Sequence, residues 1–153
     1  MYSLDLRIHI GIEPQKLLRI WRQPRFLLKE ASAIRDIRVI SGKNGVLVAD
    51  WDVEVDGVLL SWRQRDVLDS VNRRVLFEME RGEFKRYEGI WEIERSAQGD
   101  TILRVRAVVD WGLQVIGPFV EPVLERKSRA MFKSFLYSIK TAAENYGRHK
   151  THR

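Results

Sequence analysis

No cysteine occurs among the 153 residues, which excludes disulfides, thiolate nucleophiles and cysteine zinc sites. A fold of this size without disulfides suits a reducing compartment, so a cytoplasmic location is expected. Only three histidines are present. His9 alternates onto the polar side of the first segment, and His149 and His152 stand in a basic tail, so each reads as a surface residue and no metal site is expected. No run approaches the roughly 20 apolar residues of a membrane span. Met1 to Ile10 alternates polar and apolar residues instead of opening as a signal peptide. The Gly-x-Ser-x-Gly elbow, the phosphate-binding glycine loop, the His-Glu-x-x-His pair and the dinucleotide fingerprint are all missing. No cofactor is expected.

What is present is charge. Lys and Arg total 27 against 21 Asp and Glu, a formal net charge of +6, which permits attraction to phosphates or peripheral contact with an anionic membrane surface and establishes neither. The arginines are scattered and carry no aromatic ladder between them, so the pattern does not read as a nucleic-acid interface. Repeats, low-complexity tracts and Pro- or Ser-rich linkers are absent, and the chain reads as a single domain over 1–147 with a basic tail at 148–153.

Tyr2, Leu4, Leu6, Ile8 and Ile10 share one side of a half-buried strand. Glu13 and Pro14 open a short helix carrying Leu17, Leu18 and Trp21. Pro24 stops it and permits a second short helix through Phe26, Leu27 and Leu28. Strands are then predicted at 33–40, 45–55, 58–68, 73–80, 87–95 and 101–111, separated by turn residues that make an antiparallel meander. After Gly117 and Pro118 the period lengthens. Val120, Val123, Leu124, Met131, Phe135, Ile139, Ala142 and Tyr146 mark one face of a helix of about thirty residues, about 40 Å long and able to cross the sheet. The class is α+β, with seven antiparallel strands.

Asp56-Gly57 is a preferred pair for a two-residue hairpin loop, and that length sets the register. Trp51 falls opposite Trp62, Val53 opposite Leu60, Ala49 opposite Gln64 and Leu47 opposite Asp66, all on the inward face. Asp50, Asp52 and Glu54 then point outward among Arg63 and Arg65, as a solvated charged face and not a metal row. A loop over Asp69 to Asn72 would set Val75, Phe77 and Met79 opposite Asp66, Gln64 and Trp62. Parity adds Tyr87, Trp91 and Trp111 to the same side.

This aromatic face has two readings, a filled core or the wall of a cavity. Gln64 and Asp66 on it argue for the cavity, because a buried polar group costs about 1 to 3 kcal/mol unless something satisfies it. An apolar wall with a few placed polar groups describes a small-molecule site. The ligand-binding candidates are Trp51, Trp62, Gln64, Phe77, Met79, Tyr87, Trp91 and Trp111 from the sheet, with Met131 and Phe135 from the helix. Asp66 as a general base and Tyr87 as a donor are the catalytic candidates.

The order of elements, with Leu60-Ser61-Trp62-Arg63-Gln64-Arg65-Asp66, Arg74-Val75-Leu76-Phe77, Gly82-Glu83-Phe84, Gly89-Ile90-Trp91 and Gly99-Asp100-Thr101 in succession, resembles the START and polyketide cyclase (SRPBCC, helix-grip) superfamily. Aromatase/cyclases and coenzyme-Q-binding START proteins are the branches it looks most like. The resemblance implies a curved sheet wrapped around the C-terminal helix and a cavity between them for lipids, quinones or polyketides. A noncatalytic carrier of a hydrophobic small molecule is the leading expectation. A polyketide cyclase or dehydratase comes second, and a ribosome- or nucleic-acid-associated protein third. A monomer is the default.

Overall fold

The computed structural model describes residues 1–55, 57–82, 84–112 and 121–151, with side chains of the last segment from 122 to 147. In chain order the elements are β1 (Tyr2–Ile10), α1 (Pro14–Ile20), α2 (Pro24–Leu28), β2 (Ile34–Lys43), β3 (Val46–Val55), β4 (Val58–Asp69), β5 (Arg74–Gly82), β6 (Arg86–Arg95), β7 (Thr101–Asp110) and α3 (Glu121–Thr151). The seven strands form one antiparallel sheet in the order β1-β7-β6-β5-β4-β3-β2. It curves around α3. Every strand from β2 to β7 pairs with its sequence neighbour, whereas β1 pairs with β7. β1 and β2 therefore lie at opposite edges, and α1 and α2 carry the chain between them.

Each short helix starts on proline in its first turn, where a missing N–H costs nothing. Serines of α3 fasten the helices together. Buried Ser138 donates to the Leu27 carbonyl (2.8 Å) and accepts from the Glu30 N–H (3.1 Å), and Ser134 accepts from the Ser32 N–H (3.0 Å). Ser138→Ala strands the Leu27 carbonyl and is expected to lower stability by about 1 to 3 kcal/mol. Urea denaturation reads the loss, and an unchanged midpoint would refute the fastening role.

The first hairpin register agrees with expectation. Val55 pairs with Val58 around Gly57 at φ 81°, and Trp51 faces Trp62, Val53 faces Leu60, Ala49 faces Gln64 and Leu47 faces Asp66. Asp56 lies outside the described residues. The next hairpin is corrected by two residues. Phe77 stands opposite Asp66, Met79 opposite Gln64 and Val75 opposite Leu68. Asp69 stays in the strand, paired with Arg74, and its carboxylate accepts the Asn72 N–H (3.1 Å) and Asn72 Nδ2 (2.8 Å). The loop is thus 70–73, with Arg73 at φ 53°. A slip of two preserves side-chain parity, so the inward set survives. A bulge between Arg63 and Gln64 then carries Trp62 opposite Gly82 and bends the sheet.

β7 ends at Asp110, leaving Trp111 just beyond the strand. Gly117, Pro118 and Val120, expected at the helix entry, lie outside the described residues. α3 continues to Thr151, so residues 148–151 of the expected tail are helical. Among the described residues no helix is long and apolar enough to cross a membrane.

Candidate functional site

The outward face behaves as ion pairs. Arg63 binds Asp50 through two hydrogen bonds (2.8 and 3.1 Å), Asp52 accepts from Arg38 (2.6 Å) and Ser61 (2.8 Å), and Arg35 meets Glu54. The hydrogen bond from Arg63 holds the Asp50 carboxyl below its usual range, and those from Arg38 and then Ser61 do so for Asp52. Among the described residues no cluster of three metal-ligating side chains exists. His9 sits at the surface, 2.8 Å from Asp100.

On the inward face the expected aromatic set converges, but it fills its own space. Trp51 stacks on Trp62 with centroids 5.8 Å apart and tilts against Phe135 at 6.0 Å. Phe77, Tyr87 and Trp91 surround Phe132 at 6.1, 5.8 and 6.2 Å, and Phe132 meets Phe135 at 5.3 Å. Gly89 makes room for this hub, since a Cβ there would lie 2.6 Å from the Phe77 ring and 2.9 Å from Ala107 Cα. Trp51, Trp62, Phe77, Tyr87, Trp91, Met131 and Phe135 are buried, while Met79 and Trp111 are partly buried. Trp111 donates its indole N–H to Ser128 (2.9 Å). Phe132, the centre of the hub, is absent from the sequence-derived candidates. It was legible as the residue four before buried Leu136 and three before Phe135 on the same helix face.

The open volume lies beside this hub. A cavity of about 330 Å³ is lined by Trp21 and Arg22 after α1, by Val39, Leu47, Leu68 and Val75 from the strands, by the turn between β2 and β3, and by Asp66. Of the candidate residues only Asp66 lines it. The sequence pattern turns Leu47 and Val75 inward but carries no signal that marks the rest of this wall. Trp21 closes one side and packs against Trp91 at 5.4 Å.

Gln64 and Asp66 are less needy than expected. Trp62 Nε1 donates to Gln64 Oε1 (3.0 Å), and Gln64 Nε2 donates to Asp66 Oδ1 (2.8 Å). Alternation along β4 puts all three on one face. Gln64 is thereby satisfied by protein, and its burial by itself asks for no ligand. Asp66 keeps partial access through the cavity, but burial raises its carboxyl to about 7 against the lowering effect of the Gln64 hydrogen bond. Burial, then the charge of Asp66, pushes the Tyr87 hydroxyl well above its usual value.

A broader groove crosses the outer face of the sheet, where Val67, Leu76, Ile90 and Val108 are ringed by Arg65, Arg86, Arg106 and Arg129. Three of these arginines face the carboxylates Glu78, Glu88 and Glu92.

A family model described as polyketide cyclase / dehydrase and lipid transport matches residues 10–136. A solved protein of Thermus thermophilus shares 17% identity with a TM-score of 0.87, covering 93% of this chain and 97% of that one. The Zhui aromatase/cyclase of a Streptomyces species shares 13% identity with a TM-score of 0.78, covering 94% and 93%. A START superfamily protein of Mycobacterium smegmatis shares 14% identity with a TM-score of 0.72, covering 92% and 99%. At these identities the likeness is one of fold. No curated protein matches the sequence.

Proposed function

Because the chain belongs to the polyketide cyclase / dehydrase and lipid transport family of the START (SRPBCC, helix-grip) superfamily, we propose that it binds and carries a hydrophobic small molecule. A lipid, a quinone or a polycyclic, polyketide-like molecule fits the reading. The observation that carries it is the cavity of about 330 Å³ with apolar walls and a single carboxyl group, Asp66. Its size falls at the lower end for small-molecule sites, and a few polar groups, here Asp66, Asn44 and Arg22, in a mainly apolar wall orient a ligand while burial supplies the affinity. Arg22 lies at the same cavity and suits a ligand with a polar end.

The apolar dye N-phenyl-1-naphthylamine tests the reading. Its emission is expected to rise saturably with protein, and Leu47→Trp, which adds bulk to the cavity wall, is expected to weaken binding at least tenfold while unfolding stays cooperative. Emission that grows linearly with dye, or binding indifferent to Leu47→Trp, would reject it.

The near-neutral carboxyl of Asp66 favours a second reading, a cyclase or dehydratase. A carboxyl titrating near 7 can both take and return a proton, and a shaped apolar site can hold a flexible poly-ketone in a reactive fold. Wild-type conversion of a poly-β-ketone thioester, lost in Asp66→Asn with dye binding kept, is the result this reading requires. A wild-type rate equal to that in buffer would leave only the carrier.

A further inference from the structure

The polar relay at the cavity has a direction, and its first member sets it. An indole N–H only donates, so Trp62 demands the oxygen of the Gln64 amide. The amide nitrogen must then face Asp66, where it donates to Oδ1 at 2.8 Å. Flipping Gln64 would oppose two donors at one end and two acceptors at the other. Oδ1 is thus occupied as an acceptor. The second carboxyl oxygen has no hydrogen bond among the described residues, and Asp66 stands on the cavity wall.

We infer that the cavity takes an apolar molecule bearing a carbonyl group, whose oxygen accepts a hydrogen bond from the carboxyl of Asp66. This rests on the binding reading above and names the ligand chemistry that the site selects. Because Gln64 keeps Oδ1 an acceptor, a proton on Asp66 resides on the other oxygen, the one left for the cavity. A carboxylic O–H in apolar surroundings needs an acceptor. An ammonium ligand, which can only donate, would meet a donor there, and Arg22 at the same cavity repels a cation.

Among the described residues, Tyr87 on β6 feels the charge of Asp66, and Arg22 after α1 lines the same cavity without acting on the Asp66 carboxyl. The cross-strand neighbours of Asp66, Leu47 on β3 and Phe77 on β5, are apolar, and none of the described α3 side chains lines the cavity. The carboxyl titrates at about 7 because it is buried. Below that pH the group donates; above it a carboxylate faces the carbonyl oxygen and repels it. Binding of a carbonyl ligand therefore weakens as pH rises, and by reciprocity the ligand holds the proton on Asp66.

Two probes of nearly equal shape separate the possibilities, 2-acetylnaphthalene and 2-isopropenylnaphthalene, which exchange a carbonyl oxygen for a methylene group. Dissociation constants come from quenching of tryptophan emission. At pH 5.5 the ketone is expected to bind about tenfold tighter than the hydrocarbon, and at pH 8.5 it is expected to bind no tighter. Asp66→Asn presents an N–H in place of the O–H and is expected to keep the tenfold preference at both pH values. Equal binding of both probes at pH 5.5, or a preference that grows with pH, overturns the inference and leaves the binding cavity standing. If neither probe binds saturably at any pH, the cavity reading falls and the inference falls with it.

Discussion

Phe132→Ala is expected to lower the unfolding free energy by roughly 3 to 5 kcal/mol, the range for deleting a buried phenylalanine ring. Phe132 is fully buried and holds Phe77, Tyr87, Trp91 and Phe135 around it. These rings come from β5, β6 and α3, so removing their common neighbour loosens the helix from the sheet. A domain of this size has about 5 to 15 kcal/mol in all, and the loss is therefore a large share of it. Urea denaturation at fixed pH measures it. Phe132 does not line the cavity beside Asp66, so dye affinity of the folded variant should change by less than threefold. A loss below 1 kcal/mol would show that the hub is loosely packed and that the interior is a cavity after all.

Asp66→Asn is expected to stabilise the protein at pH 8 by roughly 2 to 4 kcal/mol and to flatten its pH dependence between pH 4 and 7. The folded-state carboxyl titrates at about 7, whereas in an unfolded chain it titrates at about 3.9. Between those values the folded state holds a proton that the unfolded state has lost. Stability is therefore greatest near pH 4, falls as pH rises and levels off above about 7. A shift of about three units corresponds to roughly 4 kcal/mol, and water entering the cavity reduces it. Asparagine can still accept from Gln64 but carries no charge to bury. The carboxylates with lowered values, such as Asp5 beside Arg104 and Asp69 beside Asn72, lose their contribution at pH below the ordinary carboxylate range. The windows do not overlap. Thermal or urea unfolding from pH 4 to 8 decides the matter: a flat wild-type profile, or an asparagine variant less stable at pH 8, would show that Asp66 is hydrated and ionised.

The strands, the two short helices and the long helix were legible because each rests on short-range signals. Alternation along β1, the turn at Asp56-Gly57 and the helical spacing from Met131 to Ala142 involve residues within one or two turns of each other. The same locality made Trp51 and Trp62 partners and sent Asp50 and Asp52 to the outer face. One turn misled, because Asp69 reads equally as a loop residue or as the last strand residue, and its hydrogen bonds to Asn72 decide for the strand. Parity made that error harmless.

The sequence by itself therefore determined the elements, their faces and the inward position of Gln64 and Asp66. Only the tertiary structure decided that the aromatic face is filled by Phe132 and Phe135 from α3, that Gln64 is satisfied by Trp62 and Asp66, and that the open space lies between Trp21 and the β3–β4 face. The physical reason is that the side a residue faces follows from its own backbone. Whether space remains in front of it depends on the volumes of side chains brought there from distant parts of the chain.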